Sequence, residues 1–324
     1  MRPNLALVAD IGGTNARFAI ADLDRFRLSD VKIFPSRDFK SLPSAAANYV
    51  SRLHSIPTLA CFATAGPLTG NMIRLTNLGW TCTHAELQAA ARVKDLIVIN
   101  DFEAQALALP FLKEIDLHLI GAPVQSAEGV KAVLGPGTGL GVAGLVRDRE
   151  SWIPISSEGG HISFAVEDGD ELSLLKKLYP EELEHISAER LVSGPGLARL
   201  YAALKGTTIS REALQPAAIV ARARGGADKE AEKAVSLFAN WLARFAGDVA
   251  LIFGARGGVY LAGGIAPNIL FALAPERFRP PFEAKGRMSS FLSRIAVSVI
   301  LAPDTGLRGA AVAAANRFIG WGDR

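Results

Sequence analysis

The sequence repeats a strand–glycine turn–strand pattern, and this repeat restricts the possible folds more than any other feature. The two glycine-rich turns are Ile11–Asn15 and Gly135–Gly141, and each lies between short apolar segments. These segments are Leu5–Asp10 and Ala16–Ala21 in the first copy, and Val130–Leu134 and Val142–Val146 in the second. Apolar runs on both sides of such a turn are typical of β-hairpins. The copies lie about 125 residues apart, counted from Gly13 to Thr138, which indicates an internal duplication.

The rest of the chain alternates between helical and strand patterns. The predicted helices are Ala85–Ala91, Phe102–Leu109, Lys229–Phe253 and Gly309–Phe318, and the predicted strands are Leu96–Asn100, Gly258–Ala262 and Val297–Leu301. The segment Lys229–Phe253 carries a broad apolar stripe at helical spacing, so we expect it to be deeply buried. The alternation of strands and helices predicts an α/β fold with mixed sheets.

The length of 324 residues indicates two domains of about 150 residues each. Apolar residues make up 49% of the chain, which is enough to fill a large core. No low-complexity tract or charge run marks a linker, and the best candidate for a join is near Pro110. We therefore predict a small domain over residues 1–110, to which a final helix at about 303–324 returns, and a large domain over 111–302.

Charge and cysteine content exclude several classes of protein. The chain has 35 Lys+Arg and 32 Asp+Glu, a net charge of +3, without a basic block, which argues against nucleic-acid binding. Two cysteines, Cys61 and Cys82, are too few for a disulfide framework or a four-thiolate zinc site, so a reducing compartment fits best. The uncharged run Gly257–Pro275 is interrupted by glycine and proline and is a poor membrane helix. We expect a cytoplasmic protein that binds neither nucleic acid nor membrane.

The glycine-rich turns are candidate phosphate-binding loops. Backbone N–H groups can converge in such a turn, glycine admits a bulky anion, and threonine adds a hydroxyl donor. The candidates in the first turn are Asp10, Gly12, Gly13 and Thr14. The Asp10 carboxylate, at a strand end, could orient Mg²⁺ or its waters. The alternative is a tight hairpin whose polar side chains bond only their own backbone. Two matching turns favour ATP, which needs more than one phosphate contact.

Other nucleotide motifs fit less well. The spacing Gly139-x-Gly141-x-x-Gly144 matches the dinucleotide fingerprint, but the residues that follow it do not open an amphipathic helix. No Gly-Lys-Ser/Thr sequence is present, which excludes a P-loop.

Asn100 and Asp101 follow a short apolar strand and precede a helix. Catalytic groups of α/β enzymes lie at the carboxyl ends of sheet strands, so Asp101 is a candidate catalytic residue. The alternative is that Asp101 is the N-cap of the helix. The two roles compete for the same carboxylate oxygens, so a catalytic Asp101 would leave the cap to another group.

A third candidate site is the segment Glu158-Gly159-Gly160-His161. Its glycine pair would let a carboxylate and an imidazole face one small polar ligand, and sugar hydroxyls both donate to and accept from such groups. Glu189 is a further carboxylate of this kind. The alternative is a solvated surface turn and an exposed helical glutamate.

Taken together, the motifs resemble the bacterial glucokinase family, ATP-dependent hexose kinases of the actin-like ATPase superfamily. The resemblance covers nearly the whole chain. It rests on VADIGGTNARFAI near the start, TNLGW at 76–80, VINDFEAQALALP at 98–110, LGPGTGLGVAGLV at 134–146, SEGGHISFA at 157–165, ERLVSGPGL at 189–197 and YLAGGIAP at 260–267. The order and joint presence of these segments are far more specific than any one of them.

The resemblance implies an actin-like (ribonuclease H-like) α/β fold with two domains, duplicated strand–glycine turn–strand units and a cleft between the domains. It implies a glucokinase that makes glucose 6-phosphate from glucose and ATP with Mg²⁺, the first step of glycolysis. Asp101 would be the catalytic base. The implied ATP-binding residues are Asp10, Gly12, Gly13, Thr14, Asn15, Gly137, Thr138, Gly139, Gly263 and Gly264, with Asp10 acting on Mg²⁺ indirectly. The implied glucose-binding residues are Asn77, Asn100, Asp101, Glu158, His161 and Glu189.

Two other functions remain open at this point. A kinase of another hexose or of an amino sugar could share the fold, and so could a sugar-sensing protein without catalysis. Both phosphate turns and Asp101 argue against the sensor, because a binding protein needs neither. We expect glucose and ATP as ligands and a homodimer as the assembly.

Overall fold

The computed structural model describes residues 4–66, 68–121, 129–149, 151–180, 184–207 and 214–316. The chain divides into two compact units. The first unit comprises the described residues of Met1–Leu112, Trp152–Ser156 and Ala302–Arg324, and the second those of Lys113–Ser151 and Ser157–Leu301. The sequence did not indicate that Trp152–Ser156 would join the first unit. Residues 317–324 of the predicted final helix lie outside the described residues.

Runs of strands and runs of helices follow one another along the chain, and each helix and strand that the sequence predicts is present. The strands are β1 (Leu5–Ile11), β2 (Asn15–Asp22), β3 (Arg27–Pro35), β4 (Leu59–Thr64), β5 (Leu68–Thr69), β6 (Met72–Leu75), β7 (Trp80–Thr83), β8 (Asp95–Asn100), β9 (Leu117–Leu119), β10 (Lys131–Pro136), β11 (Leu140–Asp148), β12 (Ser151–Ser157), β13 (Val259–Leu261) and β14 (Val297–Ile300). The helices are α1 (Leu42–Val50), α2 (His84–Ala91), α3 (Asp101–Ala108), α4 (Gly169–Leu178), α5 (Ala188–Leu191), α6 (Gly194–Leu204), α7 (Pro216–Arg224), α8 (Lys229–Phe253), α9 (Pro275–Glu283), α10 (Ser289–Leu292) and α11 (Thr305–Ala315).

The first unit is built around a mixed sheet with the strand order β3-β2-β1-β4-β8. β1 pairs antiparallel with β2 and parallel with β4, and β4 pairs parallel with β8. Ile11, Thr64 and Asn100 therefore lie in one row at the carboxyl ends of three parallel strands. Neighbouring strands are ~4.8 Å apart, so the first and last members of this row are separated by about 10 Å. The row brings the first glycine-rich turn and Asp101 to the same edge of the sheet.

The sheet of the second unit has the strand order β11-β10-β13-β14-β9. β10 pairs antiparallel with β11 and parallel with β13, and β13 pairs parallel with β14. The second glycine-rich turn follows the carboxyl end of β10, and Gly263 and Gly264 follow that of β13. Both predicted hairpins and the mixed α/β character are confirmed.

α8 is the central helix of the second unit. Asp228 caps it, its side chain accepting a hydrogen bond from the backbone N–H of Ala231, and its apolar face buries Phe238, Trp241 and Phe245. Of the helices that the structure describes, α8 alone has the length and apolar composition of a possible membrane span. Core helices have the same properties, and 67% of the 18-residue window in question is buried inside the protein.

α11 belongs to the first unit and begins earlier than predicted. Its first residue is Thr305, four positions before the predicted start at Gly309. Thr305 and Gly306 are weak helix formers, so local propensity gives little sign of this first turn. Tertiary packing explains it: α11 lies against β1 and α3, and Gly306 faces the Asp10 side chain.

Candidate functional site

The first glycine-rich turn leaves backbone donors open. The N–H of Gly12 donates to the carbonyl of Asn15 at 3.0 Å and closes the turn. Within the described part of the chain, the N–H groups of Gly13 and Thr14 donate no hydrogen bond. Thr14 is exposed at the tip. Two adjacent open donors beside an exposed hydroxyl form a surface that suits phosphate oxygens.

The second turn has the same character. The N–H of Gly137 donates to the carbonyl of Gly139 at 2.8 Å, and Thr138 is exposed at the tip. The N–H groups of Thr138 and Gly139 donate no hydrogen bond to any residue that the structure describes. The carbonyl of Gly137 accepts from the N–H of Gly194 at 2.8 Å, which fixes the turn to the start of α6.

Gly263 and Gly264 lie at the base of the second turn. A Cβ on Gly263 would come 2.5 Å from the carbonyl oxygen of Pro136, and the φ of Gly263 is +80°. Only glycine allows this approach in that conformation. Gly264 is exposed, and no described residue other than its chain neighbours lies within 4 Å of where its Cβ would be. The two glycine-rich segments of the second unit therefore form one continuous backbone surface.

Asp10 lies just before the first turn and is 9% exposed. Arg17, its cross-strand partner on β2, donates to its Oδ2 at 3.2 Å. Burial raises the pKa of the Asp10 carboxyl, and the attraction of Arg17 opposes that rise. A Cβ on Gly306 would come 2.6 Å from the Asp10 Cγ, so the first turn of α11 fixes the carboxylate from the other side. A desolvated, tightly held carboxylate is typical of a functional site.

No group of three or more metal-ligating side chains occurs in the regions that the structure describes. Mg²⁺ in nucleotide enzymes is usually bound by one or two carboxylates together with substrate phosphates and water. Asp10, a lone carboxylate beside two open phosphate donors, fits that mode and does not fit an all-protein metal site.

The start of α3 decides between the two roles of Asp101. The N-cap is Asn100, whose Oδ1 accepts from the N–H of Phe102 at 2.8 Å. The alternative in which Asp101 is the N-cap is therefore wrong. Asp101 is the first residue of the helix, partly exposed, with its Oδ1 at 3.1 Å from the same N–H. Asn100 bears the capping role, so the Asp101 carboxylate does not have to.

Glu103 completes the cap and was missed from the sequence. Its Oε2 accepts from the backbone N–H of Asn100 at 3.0 Å, and its Oε1 accepts from the hydroxyl of Ser156. Glu103 is only 2% exposed. The spacing of Asn100 and Glu103, three residues apart before a helix, is the sequence signal of a capping box. This buried carboxylate fixes the backbone at the start of α3, from which the Asp101 side chain extends.

We expect Glu103→Ala to destabilise the protein by about 2–4 kcal/mol, because two partly buried donors lose a charged acceptor that is itself buried. Glu86 forms the matching capping box of α2, accepting from the N–H of Thr83 at 2.7 Å, but is exposed. Glu86→Ala, at this exposed cap, should destabilise the protein much less than Glu103→Ala. Denaturant unfolding of both variants checks this, and equal losses would show that Glu103 is an ordinary cap.

Glu158 and His161 are the two polar side chains of the third candidate site. Their side chains approach to 3.7 Å between Oε2 and Nε2, and both are exposed, Glu158 at 70% and His161 at 58%. A Cβ on Gly160 would overlap the carbonyl oxygen of Leu140, so this segment packs on the end of the second turn. The Nε2–H of His185 donates to the carbonyl of His161 at 3.0 Å and steadies the backbone there.

Glu189 lies in α5, partly buried, with its carboxylate at the second turn. Its Oε2 accepts from the backbone N–H of Leu140 at 2.9 Å. The structure thus groups Glu158, His161 and Glu189 around Leu140. Asn77 is exposed and lies in the first unit, on the 3₁₀ turn Thr76–Leu78. Asn100 and Asp101 belong to the same unit and lie at the edge of its sheet.

Comparison with known proteins gives a consistent result. The sequence matches the Glucokinase family over residues 7–317. A glucokinase of Caulobacter vibrioides is 43% identical over 318 residues, 95% of each chain. A glucokinase of Tolumonas auensis is 40% identical over 307 residues, 94% of each chain. The crystal structure of a glucokinase from an Antarctic psychrotroph, 40% identical, covers 97% of this chain and 99% of its own, with a TM-score of 0.81.

Proposed function

The chain belongs to the glucokinase family, and from this premise we propose that it transfers the γ-phosphoryl group of ATP to glucose. The products are glucose 6-phosphate and ADP. The observation that carries the proposal is the placement of Asp101 at the edge of the sheet that also bears the first glycine-rich turn, with the helix cap supplied by Asn100. A proton acceptor and a phosphate-binding turn at one sheet edge are the parts that phosphoryl transfer needs.

Asp101 acts as the catalytic base in this proposal. Its carboxylate accepts the proton of the primary hydroxyl of glucose as that oxygen attacks the γ-phosphorus. The bond from the γ-phosphorus to the bridging oxygen of ADP breaks as the new bond forms. Asn100 would hold the neighbouring hydroxyl through its amide, since its Oδ1 is occupied at the cap and its Nδ2 is a donor.

The two glycine-rich turns bind the phosphates of ATP. In the first turn the open N–H groups of Gly13 and Thr14 are the donors, with Gly12 and Asn15 closing the turn. In the second turn the donors are Thr138 and Gly139. Mg²⁺, which neutralises the phosphate charge when bound, would be held through the ATP phosphates and water by Asp10. Gly263 and Gly264 offer an exposed backbone surface for the adenosine.

Glucose is bound by side chains that suit a neutral polyol. The residues proposed for this role are Asn77, Asn100, Asp101, Glu158, His161 and Glu189, which donate to or accept from sugar hydroxyls. An acidic substrate would require arginine or lysine at these positions.

The fold supports an actin-like assignment for both units. In each, a central strand pairs antiparallel with the strand that follows the glycine-rich turn and parallel with a later strand. We propose that the units arose by duplication and correspond to the small and large domains, joined near Pro110 and again before the final helix. A cytoplasmic homodimer that binds neither nucleic acid nor membrane remains our proposal for the assembly.

ADP release measured across a panel of hexoses with Mg²⁺ and ATP tests the proposed reaction. We expect glucose to give the highest kcat/KM, with mannose and amino sugars lower. A panel in which an amino sugar is the best substrate would favour another sugar kinase on the same fold. A protein that binds glucose but releases no ADP would be a sensor.

We expect His161→Ala and Glu158→Gln each to weaken glucose binding by ~1–3 kcal/mol, because each removes a hydrogen bond to a sugar hydroxyl. Nucleotide affinity should hardly change. Calorimetry measures the two affinities in separate titrations, glucose without nucleotide and nucleotide without glucose, and a chelator should leave glucose binding intact because these residues act without metal. The assignment fails if chelation abolishes glucose binding or if both variants bind like wild type.

A further inference from the structure

Glu189 contacts the second glycine-rich turn directly. Its Oε2 accepts from the N–H of Leu140, the first residue of β11, at 2.9 Å. That N–H comes immediately after the two open donors of Thr138 and Gly139. A hydrogen bond from a backbone N–H to a carboxylate is among the stronger hydrogen bonds in proteins. Glu189 therefore helps to set the conformation of the turn.

The carboxylate also lies against the face of Gly139. A Cβ added at Gly139 would overlap the Oε2 of Glu189 and come 3.3 Å from its Cδ. All neighbours within 4 Å of that Cβ position are atoms of the Glu189 carboxyl group. Gly139 does not have a positive φ, so its backbone accepts other residues. The lack of a side chain at Gly139 is therefore explained by the space that Glu189 occupies.

The backbone of Glu189 is tied to the segment that carries His161. Ser187, the N-cap of α5, forms an antiparallel bridge with Ser163, and the N–H of Ala188 donates to the carbonyl of Ile162 at 2.9 Å. The base of the Glu189 side chain is thus fixed near the start of β11, where its carboxylate bonds Leu140.

We propose that the Glu189 carboxylate accepts hydrogen bonds from both glucose and the nucleotide-binding turn, and that it thereby couples the binding of the two substrates. This inference rests on the proposed role of Glu189 in glucose binding. A carboxylate has two oxygens with about four acceptor sites, so it can bond a sugar hydroxyl and the N–H of Leu140 together. Glucose on Glu189 then steadies the turn that binds phosphate. By linkage, bound nucleotide raises glucose affinity by the same factor.

Gly139→Ala tests the contact from the side of the turn. Since its Cβ meets only the far end of a flexible side chain, the variant should fold and displace the carboxylate. We expect its glucose dissociation constant, measured by calorimetry without nucleotide, to rise about 10- to 100-fold, although Gly139 is a nucleotide-binding residue. Gly137→Ala is the matched control: apart from the adjoining residues, no atom of the described chain lies within 4 Å of its Cβ position, and the glucose affinity of the variant should stay within twofold of wild type.

The double variant Gly139→Ala/Glu189→Ala shows whether Gly139 acts through Glu189. Glu189→Ala should weaken glucose binding, and Gly139→Ala should add nothing further in that background. Additive losses would overturn the inference, and so would wild-type glucose affinity in Gly139→Ala. If Glu189→Ala itself binds glucose normally, the proposed role of Glu189 in the sugar site is wrong and the inference falls with it.

Coupling is measured as the ratio of glucose dissociation constants without and with a non-hydrolysable ATP analogue. The wild type should give a ratio of about 5 or more, and Glu189→Asp a ratio near 1, because the shorter side chain keeps its charge but cannot reach both partners. Glu189→Asp adds no side chain to the turn, so it tests the proposal even if Gly139→Ala does not fold. An unchanged ratio in Glu189→Asp would contradict the proposal.

Discussion

Asp101→Asn is expected to lower the turnover number ~10²–10⁴-fold while glucose binding stays near normal, the range typical of a lost general base. The asparagine keeps the size of the side chain and its capacity to bond a sugar hydroxyl, but it cannot take up a proton. Because Asn100 caps α3, the variant should unfold at nearly the denaturant concentration of wild type. Single-turnover kinetics and glucose calorimetry measure the two effects separately.

The contrast between binding and turnover makes this variant informative. Normal turnover in a folded Asp101→Asn protein would remove Asp101 from the reaction and leave it as a first-turn helix residue. Loss of glucose binding equal to the loss of turnover would instead make it a sugar-binding group alone.

Gly137→Val is expected to raise the KM for ATP about 10- to 100-fold with little change in the KM for glucose. Among the residues that the structure describes, none beyond the two chain neighbours lies within 4 Å of the position of a Cβ on Gly137, so there is room for the side chain. A phosphate group that approaches the backbone at this turn does not have that room. Gly13→Val should act in the same direction from the first turn.

Initial rates at varied ATP and at varied glucose separate the two Michaelis constants. Gly135→Val is a useful contrast, because its Cβ would come 2.6 Å from the backbone of Ala262 and should impair folding rather than nucleotide binding. If Gly137→Val and Gly13→Val both bind ATP normally, the two turns are structural hairpins and the kinase proposal loses its main support.

The sequence predicted those parts of the fold that depend on local patterns. Both hairpins, the strand before Asn100 and the whole of α8 from Lys229 to Phe253 follow from apolar periodicity and glycine placement. The start of α11 was predicted four residues too late, because its first turn forms where Gly306 packs against Asp10, and the propensities of Thr305 and Gly306 give little sign of it.

The N-cap of α3 shows where local rules are insufficient. Asparagine and aspartate are both good N-caps, so composition alone cannot choose between Asn100 and Asp101. The choice depends on where β8 ends, and pairing with Thr64 of β4 extends that strand to Asn100. Glu103, by contrast, could have been predicted, since the capping-box spacing is visible in the sequence.

The contact of Glu189 with Leu140 could not be predicted from the sequence. The two residues are 49 positions apart, and only the folded second unit brings the start of α5 to the second turn. Sequence patterns identified Glu189 as a candidate sugar ligand and Gly139 as a candidate phosphate ligand. Their mutual contact, which underlies the proposed coupling, is a property of tertiary structure.

The most direct test of the central claim is ³¹P NMR of the wild-type protein with Mg²⁺, ATP and glucose. We expect the γ-phosphate signal to be replaced by glucose 6-phosphate and ADP in equal amounts, with no comparable ATP loss when glucose is omitted. Asp101→Asn, run beside it, should convert the same substrates ~10²–10⁴-fold more slowly. Unchanged ATP in the presence of bound glucose, or ATP hydrolysed to inorganic phosphate without a sugar phosphate, would contradict the assignment of this chain as a glucose-phosphorylating kinase.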